Sequence, residues 1–289
     1  MIPPEFDYEV PETLSDAVAI LDKNPDAKIL SGGQSLLPLM RFRLAEPALI
    51  VDINQLNDLN YIKEEDGWLK IGGLTREVDL DKSDIVNKKY PLLADTTKVI
   101  ADPLVRNLAT VGGNLAHADP ANDHPATMLA YNAEIVATGK KGERVIPIDE
   151  FFVDVFEPAL THDEVLTEIR IPAHKGKSGG AYVKLERKVG DYATAAVAVQ
   201  LTLDKKGVVS EVGIGLTNVG LTPIKASAAE NALRGQAPDD EHLHHAAKLA
   251  AEFSEPESDL RGTEEYKRSL VKTLTIRALK KAVVRANGG

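Results

Sequence analysis

Apolar positions 14, 17, 18 and 21 recur at helical spacing, so the first regular element along the chain is a helix with one apolar face. Thr13 and Asp16 stand as a capping box at its start, and Asn24-Pro25-Asp26 stops it. A short apolar run over 27–30 predicts a strand, 35–44 a short helix interrupted early by Pro38, and 49–52 the next strand. The alternation Trp68-Leu69-Lys70-Ile71 reads as a half-buried strand ending at Gly72-Gly73. Helical composition over 90–100 breaks at Asp102-Pro103. A helix over 125–131, a strand over 134–138 with a turn at 139–142, and a strand over 165–171 complete this part. Residues 193–203 and 208–216 read as strands of a hairpin turned by Asp204-Lys205-Lys206-Gly207. Three helices follow, over 223–234, 239–253 and 263–286, the first opening on proline and closing at Gly235.

These elements predict an α+β chain in three parts: a β-α-β unit over 1–56, a second unit over 57–176, and a C-terminal α+β domain over 177–289. Residues 173–180, small, polar and glycine-rich, read as the linker.

Composition narrows the classes. The chain has 289 residues, enough for two or three cores. Its net charge of −10 argues against general nucleic-acid binding, although Arg41, Arg43, Lys184, Arg187 and Lys188 are candidates for a local basic patch rather than plain solvated charge. The absence of cysteine excludes disulfides, thiolate metal sites and a cysteine-held iron–sulfur cluster in this chain. The N-terminal residues 1–7 carry no signal-peptide pattern, and no apolar run approaches the roughly 20 residues that span a bilayer. A cytoplasmic protein with no transmembrane segment is expected.

Chemistry concentrates in two segments, Ser31-Gly32-Gly33-Gln34-Ser35 and Thr110-Val111-Gly112-Gly113-Asn114. Paired glycines permit positive φ and close backbone approach, and successive N–H groups in such turns form a concave anion site. Each alone reads equally well as a plain turn. Together, with Ser31, Ser35, Thr110 and Asn114 adding side-chain groups, they predict a diphosphate gripped from two sides, as in a dinucleotide cofactor. The Rossmann and Walker patterns are missing, so another scaffold would hold it. Gly72-Gly73 reads as a turn. In 115–125, His117, Asp119 and His124 are a weaker metal alternative, without zincin or deaminase spacing. His242, His244 and His245 read as surface residues. Ser35 lacks the nucleophile elbow, and no catalytic acid–base set can be picked out.

The residues 31–44, the run 110–115 with Ala118-Asp119-Pro120, the run 186–195, Ile214 to Val219, and Asp259 to Thr263 together resemble the medium subunits of molybdenum hydroxylases, the xanthine oxidase family. The similarity runs the whole length in the same order, with the aerobic carbon monoxide dehydrogenase branch nearest through 187–195 and 215–219. It implies a two-part FAD-binding domain of the vanillyl-alcohol-oxidase (PCMH) type and a C-terminal α+β domain of antiparallel strands plus helices. By matching position it implies that FAD is held by Leu30, Ser31, Gly32, Gly33, Gln34, Ser35 and Leu36 on one side. Ala109, Thr110, Gly112, Gly113 and Asn114 lie on the other, with Ile100, Ala101, His117, Asp123, Leu166, Lys184 and the aromatic Tyr192 around the cofactor. No catalytic or metal-ligating residue is implied in this chain.

The resemblance further implies a heterotrimer, assembled as a dimer of trimers. A large subunit carries molybdopterin and a small one two [2Fe-2S] clusters, and electrons leave through FAD to an acceptor such as a quinone. Attachment to the inner face of the membrane would run through the partners. Gln34 stands where carbon monoxide dehydrogenases often have histidine, and His117 where xanthine dehydrogenases have threonine, which leaves the substrate branch open. The 4-hydroxybenzoyl-CoA reductase branch is disfavoured by the missing cysteines. The alternative reading is a stand-alone FAD reductase resembling UDP-N-acetylenolpyruvoylglucosamine reductase, which needs a proton donor that cannot be identified. A non-enzymatic binding protein, without flavin, is the third.

Overall fold

The computed structural model describes residues 2–174 and 176–289; Met1 in the N-terminal stretch and Lys175 in the expected linker lie outside the described residues. Strands β1 (Asp7–Glu9), β2 (Lys28–Leu30) and β3 (Leu49–Asp52) form a parallel sheet in the order β1-β3-β2. Helix α1 (Leu14–Lys23) crosses from β1 to β2 and buries Ala17, Val18 and Leu21. Thr13 Oγ1 accepts the Asp16 N–H at 3.1 Å, the cap expected there. Helix α2 (Leu36–Arg41) follows the first glycine segment.

The second sheet is antiparallel, in the order β4-β5-β10-β6-β7: β4 (Ile62–Glu65), β5 (Trp68–Gly72), β6 (Glu134–Gly139), β7 (Gly142–Pro147) and β10 (Val165–Pro172). A small hairpin, β8 (Phe152–Asp154) and β9 (Glu157–Pro158), precedes β10. Six helices lie between β5 and β6: α3 (Glu77–Lys82), α4 (Asp84–Lys89), α5 (Pro91–Val99), α6 (Pro103–Leu108), α7 (Val111–Ala116) and α8 (Asp123–Tyr131).

The third sheet is antiparallel: β11 (Lys177–Leu185), β12 (Ala195–Leu203), β13 (Val209–Thr217) and β14 (Ile224–Lys225), in that order. Helices α9 (Ser227–Leu233), α10 (Asp240–Phe253) and α11 (Glu264–Ala286) cover one face. The pleat of β12 explains its unbroken apolar run. Ala195, Val197, Val199, Leu201 and Leu203 pack towards those helices, while Ala196 and Ala198 join the core of the second unit. Helices α5 and α8 close that second face. Contact with α8 is tight because β13 has no side chain there: a Cβ on Gly213 would stand 2.0 Å from the Ala130 carbonyl, and one on Gly215 2.0 Å from that of Ala126.

Some expectations do not survive. The second glycine segment is the first turn of α7, capped by Thr110, because tertiary contacts outweigh the poor helix propensity of two glycines. Residues 177–180 are strand, the start of β11, rather than linker. A Cβ on Gly179 would lie 2.2 Å from the Ala282 carbonyl, so this glycine admits α11 rather than flexing. The helix expected from Pro223 begins at Ser227, since Ile224 and Lys225 first pair with β13. Strands β1, β4 and β7 and helices α3, α4 and α6 were not among the expected elements.

Candidate functional site

The first glycine segment leaves β2 and enters α2, and Gly33 takes φ +70°, the left-handed region. The N–H groups of Gly32, Gly33, Gln34 and Ser35 have no hydrogen-bond partner among the described residues, so four successive donors face the cleft they line. Gly32 lacks a side chain for a different reason. A Cβ there would lie 2.6 Å from the Leu108 carbonyl, so the two segments approach backbone to backbone.

The second segment does not mirror the first. Its N–H groups are engaged: Val111 donates to the Thr75 carbonyl at 3.0 Å, Gly112 to that of Gly73 at 3.2 Å, and Gly113 to Thr110 Oγ1 at 3.1 Å. It offers hydroxyl and amide groups instead. Ser31 Oγ and Thr110 Oγ1 are 3.0 Å apart, joining the two segments, and a Cβ on Gly113 would crowd both oxygens, at 2.9 and 2.6 Å. Asn114 Oδ1 is buried without a partner. Gly73, read from the sequence as part of a turn, lines the cleft as well.

A clamp behind the segments is built from residues that carry no local motif. Asn54 Nδ2 donates to the Ser31 carbonyl at 2.8 Å, while Arg76 Nη2 donates to Asn54 Oδ1 at 2.6 Å. Arg76 Nη1 donates to the Leu108 carbonyl. One guanidinium and one amide therefore hold both sides in register. Beneath them His124 Nε2 and Glu77 Oε2 pair at 2.8 Å, both side chains fully buried. That pairing takes His124 away from the metal alternative, and no cluster of three metal-ligating side chains occurs among the described residues.

At the far end Lys184 Nζ donates to Asp123 Oδ2 at 2.9 Å and to the Val99 carbonyl at 3.1 Å, with Glu186 3.3 Å away. Tyr182 Oη donates to Asp123 Oδ1 at 2.6 Å. Burial pushes the Asp123 carboxyl above the usual carboxylate range, with Lys184 opposing it. Lys184 is thus a buried ion-pair partner and not part of a solvated basic patch. Burial also holds His117 below its ordinary value, with Asp119 opposing; its ring packs 5.1 Å from that of Phe156.

The mouth is bordered by the segment before β12. Gly190, φ +83°, lies against the Ala101 carbonyl, where a Cβ would stand at 2.8 Å. Asp191 binds Arg187 at 2.9 Å and Arg261 at 3.2 Å; these bonds, Arg187 first, hold its carboxyl at about 2. Tyr192, half-exposed, stands beside them with the Arg261 guanidinium 6.0 Å from its ring centre.

All nineteen residues selected from the sequence line this one cleft of about 970 Å³, the upper end of the range for small-molecule and cofactor sites. A cradle with room for no Cβ, four free N–H donors and an orphaned buried amide oxygen fit a dinucleotide diphosphate. Residues 4–174 match the model for the FAD binding domain in molybdopterin dehydrogenase. The chain belongs to that family. Residues 180–282 match the CO dehydrogenase flavoprotein C-terminal domain.

The chain is 44% identical to the carbon monoxide dehydrogenase medium chain of Hydrogenophaga pseudoflava over 99% of each. It is 37% identical to the 6-hydroxypseudooxynicotine dehydrogenase complex subunit alpha of Paenarthrobacter nicotinovorans, covering 99% and 97%. A solved carbon monoxide dehydrogenase from Hydrogenophaga pseudoflava superposes with a TM-score of 0.96 at 46% identity, over 99% of both chains. This molybdopterin-dehydrogenase flavoprotein is an oxidoreductase component whose cofactor is FAD, with a C-terminal domain of antiparallel strands and helices. No described helix is long and apolar enough to cross a membrane.

Proposed function

We propose that this chain is the electron-transfer subunit of a heterotrimeric molybdenum hydroxylase of the carbon monoxide dehydrogenase type. It takes electrons from [2Fe-2S] clusters in a small partner, downstream of a large molybdopterin subunit, and delivers them to an external acceptor such as a quinone. The observation that carries the reading is the convergence of the nineteen residues on one cleft. The full-length likeness to medium chains of multi-subunit dehydrogenases supports it.

In this reading the donors of 32–35 hold the diphosphate, and Ser31, Thr110 and Asn114 supply the facing polar groups. Asn54 and Arg76 keep the two sides at a fixed separation. When bound there, FAD would supply one- and two-electron redox chemistry, which is the cofactor's own. The chain orients the cofactor and sets its electrostatics: Lys184 and Asp123 place a paired charge at the inner end, and Tyr192 covers the mouth. The substrate, carbon monoxide or another hydroxylatable compound, is bound by the large partner.

The test is native purification through a mild tag on this chain, followed by subunit, metal and released-flavin analysis. FAD with molybdenum, iron and two further polypeptides is the expected result. FAD on a lone or homo-oligomeric chain overturns the reading in favour of a stand-alone flavoenzyme.

A further inference from the structure

The end of β11 carries Tyr182, Lys184 and Glu186 at alternate positions, which places them on one face. That face meets Asp123, the first residue of α8. Asp123 and Lys184 line the cofactor cleft, with Tyr182 and Glu186 packed against them. Lys184 Nζ is 2.9 Å from Asp123 Oδ2 and 3.3 Å from Glu186 Oε2, so two carboxyls face one cation. The side chains of Lys184 and Asp123 are 3% and 8% exposed, and that of Glu186 is 19% exposed. Glu186 Oε2 is itself buried and accepts no hydrogen bond among the described residues.

The charges of this cluster do not balance. With both carboxyls ionised it holds one negative charge too many, and a buried charge without a partner is costly. Among the described residues the other neighbours do not cancel it. His124, next along α8, is paired with Glu77 of α3 at 2.8 Å. Tyr182, which donates to Asp123 at 2.6 Å, and Tyr192 are phenols whose titration burial pushes upward. Thr217 of β13, 3.2 Å from the Tyr182 oxygen, and the Val99 carbonyl on Lys184 are uncharged. Burial already pushes the Asp123 carboxyl above its ordinary range.

We propose that Asp123 and Glu186 form one proton-accepting pair around Lys184, which takes a proton from solvent when reduction adds charge to the bound FAD. The inference rests on the reading that electrons pass through FAD in this cleft. Two electrons come from the donor, which is oxidised, and FAD is reduced. The proton leaves a water or buffer acid and forms one O–H bond on a carboxyl oxygen of the pair; no bond in the chain breaks. It enters at Glu186, the more exposed carboxyl, and the two groups titrate as a unit. The added proton offsets part of the charge that the electrons bring, so the flavin holds them more firmly as the pH falls.

The experiment is the flavin midpoint potential of the protein as purified, followed by absorbance during dithionite titration over a series of pH values. One proton beyond the flavin's own, per two electrons, steepens the fall of potential by about 30 mV per pH unit where the pair titrates. Glu186→Gln leaves Asp123 and Lys184 matched, and should remove that extra slope while flavin per chain stays as in the parent. Tyr182→Phe withdraws a donor from the ionised Asp123 and should move the steep range to higher pH. The reduced-minus-oxidised infrared spectrum of the parent should contain a protonated-carboxyl stretch that Glu186→Gln lacks.

A parent slope equal to that of Glu186→Gln, or a parent spectrum without the carboxyl stretch, overturns the proton-accepting pair while leaving the electron-transfer reading intact. A steep range that Tyr182→Phe leaves in place or lowers overturns it as well. A chain that purifies without FAD overturns both.

Discussion

Replacing Gly113 by alanine separates a cradle from a mere turn. The added methyl lands 2.6 Å from Thr110 Oγ1 and 2.9 Å from Ser31 Oγ, so Thr110 must rotate away. That rotation removes the cap on α7, worth about 1 kcal/mol, and the Ser31–Thr110 bond, worth about 1 kcal/mol. Alanine in place of glycine returns at most about 1 kcal/mol of helix propensity. The net cost to the fold is about 1 kcal/mol, or about 2–4 °C for a chain of this size. On the proposed reading the displaced groups face the diphosphate, so flavin binding suffers more. One hydrogen bond to a charged oxygen is worth about 1.5–3 kcal/mol, so affinity should fall about 10- to 150-fold. The assays are flavin absorbance per chain after gel filtration, titration of the FAD-free chain, and thermal unfolding of that same FAD-free chain. Parent-like affinity alongside the modest drop in unfolding temperature refutes the assignment of this segment to the diphosphate.

Three further perturbations address the surroundings. Asn54→Ala cuts the link between the Ser31 carbonyl and Arg76, and stopped-flow release of flavin should quicken about tenfold or more. An unchanged rate denies the clamp its role. His124→Leu strands the fully buried Glu77. Urea unfolding should show a loss of about 3–5 kcal/mol, much of it recovered on adding Glu77→Leu; additive losses argue against a coupled pair. Burial holds His174, stacked 5.4 Å from Tyr131, at about 4. The unfolded chain, titrating near 6.5, takes the proton first. Stability from this group is therefore full above about pH 6.5, falls as the pH drops towards 4, and is flat below it, a span on the order of 3 kcal/mol. His174→Phe keeps the ring contact and should flatten that stretch of the stability–pH curve.

What could be read from the chain was whatever has a local signature. Thr13, Asp239 and Thr263 stand at the starts of expected helices and cap them through their own side chains, and the odd and even residues of β12 sort by pleat. The glycine segments were legible only as a pair, since each alone reads equally well as a plain turn. Their inequality was not. Whether an N–H is free depends on Gly73 and Thr75, some forty residues away along the chain. The same limit hid Asn54 and Arg76, single polar residues whose partners are distant in sequence. It also hid the burial of Lys184, set by a carboxylate on another element. Strand β11 escaped because its glycines look like linker until α11 is seen against them.

Helix α8 belongs to the first family domain by sequence, and its N-terminal residue Asp123 borders the cofactor cleft. Yet it is seated on Gly213 and Gly215, which belong to the second. The two modules therefore cannot be inherited or recombined as separate cassettes at the boundary near residue 175. A chimera joined there from two relatives works only when the donor of the C-terminal half also has glycine at both places. A methyl group at either would press on the Ala130 or Ala126 carbonyl, so a substitution in the second domain bears on the helix that carries Asp123.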